Sequence, residues 1–208
     1  MGGCYSWWCA GVTRAVAISG TPGTGKSSVG RLLARRIDAE LLELGEIVKE
    51  HNLFLGRDSS RDTLIADLEA LEDFLTKRLQ EARRLHIVVG HFADVVPDNL
   101  LEFLVVLRCH PLLLAQRLRR RRWSHEKILE NVQAEILGDC TAHALERYPA
   151  QKIYEVDTSQ RTDDQVASCI QEILAGRGAS FAVGSISWLS SLDAGLLHQI
   201  MEEGRLPL

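Results

Sequence analysis

The residues with the clearest chemical purpose form a glycine-rich loop near the start of the chain. The segment Gly20-Thr21-Pro22-Gly23-Thr24-Gly25-Lys26-Ser27 matches the pattern G-x-x-x-x-G-K-[ST] in full. In such a loop the glycines let the backbone curl so that successive N–H groups point at a phosphate, and the following helix adds its positive N-terminal end. A glycine-rich turn that binds nothing is the alternative, which the strand before the loop and the helix after it disfavour. The predicted cofactors are therefore ATP and Mg²⁺.

We predict different roles for different residues of this loop. We predict that Lys26 reaches the β- and γ-phosphates, that the Ser27 hydroxyl binds Mg²⁺, and that Ser28 contacts the α-phosphate. The predicted nucleotide-binding residues of the loop are Gly20, Gly23, Thr24, Gly25, Lys26, Ser27 and Ser28.

Five arginines crowd the end of one predicted helix. One or two basic residues at a helix C-terminus complement the helix dipole, but five within six positions repel one another and indicate an anionic partner. A transferring phosphoryl group is one such anion, and a closing lid of arginines would also exclude water. The RNA backbone is the competing anion, and the outer arginines could serve it. The cluster consists of Arg117, Arg119, Arg120, Arg121 and Arg122.

A histidine follows an apolar run that is suited to a central strand. The run is His86-Ile87-Val88-Val89, and after Gly90 the next residue is His91. His91 should therefore emerge at the carboxyl edge of the sheet, where α/β proteins bind ligands. There it could orient a water or contact a phosphate, or it could hold the loop through a backbone hydrogen bond. Asp94 in the following turn is read as a solvated loop acid or helix cap more readily than as a magnesium ligand.

Apolar strand patterns alternate with helical patterns along the chain. This alternation predicts an α/β fold with a five-stranded parallel sheet covered by helices on both faces, as in P-loop NTPases. The predicted strands are 15–19, 40–44, 86–89, 103–107 and 153–156, and the predicted helices are 25–37, 61–84, 111–122, 125–147 and 163–174.

The composition sets the broad class and the domain boundaries. The chain has 208 residues, of which 46% are hydrophobic and 25% are charged, with a net charge of −4. This predicts one globular domain with no membrane span, and it excludes a surface that is basic throughout. Five scattered cysteines without a Cys-x-x-Cys pair predict a reducing, cytoplasmic compartment. We divide the chain into an N-terminal extension (1–14), the kinase-like domain (15–176) and a C-terminal appendage (177–208).

Several segments together resemble a known family. The loop ending in Ser28 resembles that of the archaeal and eukaryotic adenylate kinases that also act in assembly of the small ribosomal subunit. Leu44-Gly45-Glu46, Gly90-His91-Phe92-Ala93-Asp94 and the stretch from Arg117 to Trp123 fit as well. The most family-specific match is Glu130-Asn131-Val132-Gln133-Ala134-Glu135-Ile136, and the resemblance runs from about Ala15 to Leu174.

The resemblance implies an activity, partners and further site residues. It implies the reaction ATP + AMP giving two ADP, with a small-subunit ribosomal protein and rRNA as further partners. Arg121 falls on the family's ATP-contacting lid arginine, Arg161 on a basic position near the nucleotide, and His91 on a histidine implicated in ATPase activity. The monophosphate-binding region would be 43–67 and the lid 120–130. The predicted catalytic residues are Lys26, Arg121 and His91.

The chain also departs from the family pattern. Val89 stands where eukaryotic relatives carry an aspartate that helps to hold Mg²⁺, so the metal would rely on Ser27 with some help from Asp94. Arg122-Trp123 stands where relatives often have Gly-Tyr. A ribosome-assembly ATPase with little kinase activity and another P-loop small-molecule kinase remain the alternative functions.

Overall fold

Five parallel strands form the central sheet of the protein. The computed structural model describes residues 15–58 and 63–207, so the predicted N-terminal extension lies outside the described residues. The strands of this sheet are β1 Ala15–Gly20, β2 Glu40–Glu43, β5 His86–Val89, β6 Leu101–Arg108 and β7 Ile153–Asp157. They are paired in the order β2-β5-β1-β6-β7. Every neighbouring pair is parallel, as the alternating pattern predicts.

Helices cover both faces of this sheet, which confirms the predicted fold class. The helices are α1 Lys26–Arg36, α2 Leu44–Glu50, α3 Leu68–Gln80, α4 Pro111–Arg120, α5 His125–Leu137, α6 Asp139–Arg147, α7 Asp163–Leu174, α8 Trp188–Ser191 and α9 Ala194–Met201. Alternate residues of β1 enter opposite cores: Ala15 and Ala17 pack under α2, α3 and α6, whereas Val16 and Ile18 pack under α1 and α7. A third apolar cluster joins α4, α5 and α9.

The predicted helix 61–84 is wrong over its first part. There the chain forms β4 (Thr63–Ala66), which pairs antiparallel with β3 (Phe54–Asp58). Helix α3 begins only after Asp67, whose side chain accepts a hydrogen bond from the backbone N–H of Ala70 at 3.0 Å and so caps the helix. The region predicted to bind the monophosphate, 43–67, therefore consists of α2 and this two-stranded hairpin.

The predicted helix 125–147 is in fact two helices. Gly138 ends α5 and starts α6 with φ +76°, a left-handed conformation that glycine adopts without strain. A helix-period pattern does not reveal such a break, because apolar residues continue on both sides of it. The bend lets α5 and α6 approach the end of β6 from two directions.

The C-terminal segment packs against the lid side of the domain. Ile200 of α9 and Leu206 are buried with Leu118 of α4 and Val132 of α5. The Gln133 side-chain amide donates to the carbonyl of Ile200 at 2.9 Å. Throughout the described part of the chain, every helix is too short or too polar to cross a membrane.

Candidate nucleotide site

The phosphate loop connects β1 to α1 and is wedged between β6 and α4. Gly20 has φ +136°, and a Cβ there would lie 2.4 Å from the carbonyl oxygen of Leu107. Gly23 has φ +97°, and a Cβ there would lie 2.9 Å from Leu114 Cδ1. At Gly20 both the backbone angle and the neighbouring backbone exclude a side chain, whereas at Gly23 the backbone angle would strain a side chain that would also displace the end of Leu114. The glycines at these two positions are thus required by the shape of the loop.

The ammonium group of Lys26 is folded back onto this loop. Its Nζ donates to the carbonyls of Gly20 at 2.6 Å and Thr21 at 3.1 Å. Burial lowers the pKa of Lys26 to about 8, Glu135 acts against that shift, and the nearby charge of Arg121 adds to it. The lysine therefore lies at the mouth of the loop with its charge poorly solvated, which favours an incoming phosphate as its partner.

We expect this lowered pKa to make ATP binding depend on pH. The ammonium and not the neutral amine attracts phosphate, and deprotonation is half complete near pH 8, because the pKa of Lys26 is lowered from 10.5 to about 8. The dissociation constant for ATP should therefore change little up to pH 7.5 and then rise about tenfold between pH 7 and pH 9. Calorimetric titration at several pH values measures this. The Lys26→Met variant should bind more weakly with a flat pH profile, and an equally flat profile in the parent would contradict the assignment.

Ser27 and Ser28 lie in the first turn of α1 with exposed side chains. The N–H groups of a first helical turn have no intrahelical partner and can bind phosphate oxygens. The Ser27 hydroxyl makes no hydrogen bond to another described residue, so its oxygen is free to fit Mg²⁺. Within residues 15–58 and 63–207 no three His, Cys, Asp or Glu side chains form a metal site. Ser27 would hold a magnesium ion whose remaining ligands would be water and phosphate.

The two positions at which an acid could assist Ser27 lie in different surroundings, and one of them holds Val89 in place of an acid. Val89 is buried and packs into α1, where its Cγ2 lies 2.4 Å from the position of a Cβ on Gly30. Asp94 lines a cleft of about 760 Å³ between α3 and α6, together with carboxylates of α3. The structure thus groups Asp94 with Glu69, Glu72 and Asp73.

His91 lies at the carboxyl edge of the sheet, beside Lys26. Its Nδ1 is 3.4 Å from the Gly20 carbonyl that also accepts from Lys26, and Ser19 Oγ donates to the His91 carbonyl at 2.9 Å. Burial lowers the pKa of His91, and the charge of Lys26 lowers it further. A neutral ring that donates from Nδ1 to Gly20 leaves Nε2 as an acceptor. The backbone contact and a role toward the nucleotide are therefore compatible.

The five arginines point to different places. Arg117 turns inward: its Nη2 donates to the Thr158 carbonyl at 2.9 Å and its Nη1 to the Gly23 carbonyl at 3.4 Å. It therefore ties the phosphate loop to the turn after β7, a role that the sequence did not assign to it. Arg119 buries one guanidinium nitrogen without a hydrogen-bond partner in the described residues. The other three arginines, Arg120, Arg121 and Arg122, are exposed.

The turn after β7 lies next to the phosphate loop. The Asp163 carboxylate is 3.7 Å from the position of a Cβ on Gly25. Arg161 in this turn donates to the Asp157 carbonyl at 2.6 Å and is exposed. Its predicted contact with the nucleotide stays a prediction.

The predicted lid, 120–130, is a tight turn followed by the start of α5. Arg121 ends α4, and Ser124 caps α5 by accepting from the backbone N–H of Lys127 at 3.3 Å. Between them Arg122 has φ +59°, a left-handed conformation that is unfavourable for a non-glycine residue. Glycine would adopt this conformation without such strain.

We expect Arg122→Gly to leave the free energy of unfolding within about 0.5 kcal/mol of the parent, because relief of strain offsets the greater freedom of the unfolded chain. Gln116→Gly, at an exposed position within α4, should instead cost about 1 kcal/mol. Urea unfolding of both variants measures the difference. Equal losses at the two positions would show that Arg122 is not strained.

Together these features define the class of the protein. A parallel sheet in the order found here, with the phosphate loop between β1 and α1, is a P-loop kinase fold. Two shikimate kinases share it: that of Bacteroides thetaiotaomicron (TM-score 0.55, 18% identity, 78% of this chain and 98% of the other) and that of Acinetobacter baumannii in complex with shikimate (TM-score 0.55, 18% identity, 80% and 96%). At this identity the likeness concerns the fold alone.

Sequence relatives identify the family. Residues 16–138 match the family model described as "AAA domain". Proteins named "Putative adenylate kinase" are similar over most of their length: that of Methanothermobacter thermautotrophicus is 37% identical over 77% of this chain and 90% of the relative, and that of Methanocaldococcus jannaschii is 33% identical over 76% and 85%. The chain belongs to this family of archaeal kinase-like proteins.

Proposed function

We propose that the protein is a nucleoside monophosphate kinase that transfers the γ-phosphoryl group of ATP to AMP and so produces two ADP. The observation that carries the proposal is the phosphate loop with the Lys26 ammonium at its mouth, in a chain of the "Putative adenylate kinase" family. The fold that the shikimate kinases share would by itself also fit a phosphoryl acceptor that is not a nucleotide. Membership of the "Putative adenylate kinase" family favours a nucleotide as the acceptor.

The proposed mechanism relies on positioning and charge. Lys26 binds the β- and γ-phosphates and offsets the charge that develops during in-line transfer. Arg121 approaches the same phosphates from the lid turn, and its electrostatic effect on Lys26 supports this placement. Ser27 would hold Mg²⁺, which would supply positive charge to offset the negative charge of the phosphates. The acceptor would enter between α2, the β3–β4 hairpin and α3.

We expect Arg121→Ala to lower kcat by a factor at least ten times larger than the factor by which it lowers the affinity for ATP. An exposed arginine on the lid turn should engage the transferring group more strongly in the transition state than in the ground state. Steady-state kinetics at varied ATP and AMP separates kcat from KM. Arg120→Ala, one residue earlier and also exposed, is the matched control and should change either parameter less than about twofold. A change confined to KM for ATP would make Arg121 a ground-state contact.

ATP hydrolysis in maturation of the small ribosomal subunit is the second candidate function. The exposed Arg120 and Arg122 favour it, because they offer charge to an RNA backbone or another polyanion outside the nucleotide site. His91, with Nε2 directed to accept, is the candidate to orient the attacking water.

We also propose a reducing, cytoplasmic compartment, since Cys109, Cys140 and Cys169 are free thiols.

Product analysis separates the two functions. ATP is incubated with AMP, GMP, CMP or UMP, and alone as control, and the nucleotides are quantified at early times. The kinase predicts rapid ADP formation that depends on AMP and is weaker with the other monophosphates. Slow ADP formation that no monophosphate accelerates would overturn the kinase and favour the ATPase.

A further inference from the structure

A buried carboxylate on α5 lies directly against the phosphate loop. The Oε2 atom of Glu135 accepts a hydrogen bond from Thr21 Oγ1 at 2.6 Å. Its Oε1 atom accepts from Arg108 Nε at 2.8 Å, from the backbone N–H of Cys109 at 3.1 Å and from Trp188 Nε1 at 2.9 Å. Only 2% of Glu135 is exposed, so this carboxylate depends entirely on protein donors.

The same network also reaches residues 184–188, which are part of the C-terminal appendage, through Arg108 and Glu155. Arg108, which is 3% exposed, donates through Nη1 to Glu155 Oε1 at 2.6 Å. The other oxygen of Glu155, Oε2, accepts from the backbone N–H of Gly184 at 2.8 Å. Two buried carboxylates thus share one guanidinium, and the network has a formal charge of −1. The neutral donors Thr21, Trp188 and Gly184 are therefore needed to stabilise it, because no second cation lies within hydrogen-bond reach of either carboxylate in the described residues.

Thr21 links this network to the ligand-binding atoms. Its carbonyl accepts from Lys26 Nζ at 3.1 Å and from Thr24 Oγ1 at 2.9 Å, while its hydroxyl donates to Glu135. A shift of Thr21 would therefore move the lysine and the turn of the loop at the same time. The negative charge of Glu135 also acts on Lys26 and raises its pKa against the effect of burial.

We propose that Glu135 is a positioning residue for the phosphate loop and that the C-terminal segment 184–188 fixes its carboxylate, so that nucleotide affinity depends on Trp188. Trp188 itself packs against the ring of His110, 5.5 Å between centroids, and donates to Glu135. The inference rests on the proposed function only in that the loop must bind ATP. It gives the C-terminal segment a part in nucleotide binding, in addition to its packing on α4 and α5.

A double-mutant cycle between Thr21 and Trp188 tests this inference. Thr21→Val and Trp188→Phe each remove one donor to Glu135 while they keep most of the side-chain volume. Each should weaken ADP binding, measured by calorimetric titration, about five- to tenfold. The double variant should be less than threefold weaker than the worse single variant, because both changes act through one carboxylate. Ser190→Ala, two residues after Trp188 in α8 and exposed, is the control and should bind like the parent.

Further measurements separate positioning from stability. If Trp188→Phe lowers the free energy of unfolding but leaves the ADP affinity within twofold of the parent, the tryptophan is only structural and the inference is wrong. The inference would also be overturned if the double variant weakened ADP binding by the product of the two single-variant factors. Should Trp188→Phe fail to fold, Glu135→Gln provides the test, since it keeps the shape but loses the charge, and unaltered ADP affinity there contradicts the inference. A parent protein that binds neither ADP nor ATP would instead overturn the proposed function.

Discussion

Replacing Lys26 with alanine is expected to lower kcat/KM for phosphoryl transfer by about a thousandfold, which corresponds to about 4 kcal/mol of transition-state stabilisation. The ammonium is the cation that the structure places at the mouth of the phosphate loop, on the carbonyls of Gly20 and Thr21. In the described part of the chain, Arg117 is held by the carbonyls of Gly23 and Thr158, and burial lowers the pKa of His91. We therefore expect that neither of these side chains, nor the exposed Arg121 of the lid turn, replaces the ammonium.

The fold of the Lys26→Ala variant should be preserved, because the ammonium bonds to loop carbonyls and not to the core. Lys77→Ala, an exposed lysine of α3, is the matched control and should retain full activity. Initial rates and a thermal unfolding curve for both variants are sufficient. Activity of Lys26→Ala within a few-fold of the parent would remove the lysine from the site.

Replacing Arg108 with methionine is expected to have the largest effect on stability, a loss of about 3–5 kcal/mol in the free energy of unfolding. The change leaves Glu135 and Glu155, each 2% exposed, as two buried carboxylates without a shared cation. The penalty comes from uncompensated buried charge, because methionine fills much of the volume of the arginine stem. Urea unfolding near pH 7 measures it.

Two controls make this second prediction specific. Arg84→Met removes an arginine from an exposed ion pair with Asp38 and should cost less than about 1 kcal/mol. Adding Glu155→Gln to Arg108→Met should recover part of the lost stability, because one of the two repelling charges is then removed. Equal losses for Arg84→Met and Arg108→Met would show that the buried pairs contribute little.

The parts of the fold that depend on local sequence could be predicted. The phosphate loop needs three glycines, a lysine and a serine in fixed order, and all lie within eight residues. The strands β1, β5 and β6 could be recognised because each is a short run of mostly apolar, buried residues. The β3–β4 hairpin was missed because Leu64 and Leu68 continue the spacing of α3, and nothing in a helical pattern marks the point where Asp67 begins the helix.

The contacts that surround the loop could not be predicted from the sequence. Glu135 lies 114 residues from Thr21 and 53 from Trp188, and no periodicity relates these positions. The family signature Glu130–Ile136 was the one available signal, and it named the segment without giving a reason for the carboxylate. Arg117 was visible as a member of the arginine cluster, but only the tertiary structure shows that it turns toward Gly23 and Thr158. Arg120, Arg121 and Arg122 of the same cluster are exposed.

We expect this site to transfer a phosphoryl group to a nucleotide and not to deliver it to water. Incubation of the protein with AMP and ATP labelled in the γ-phosphate tests this most directly, with Lys26→Ala as the inactive control. We expect the label to appear in the β-phosphate of ADP, in proportion to the AMP consumed, with little label in free phosphate. Label that appears only as free phosphate, at a rate that AMP does not change, would contradict it.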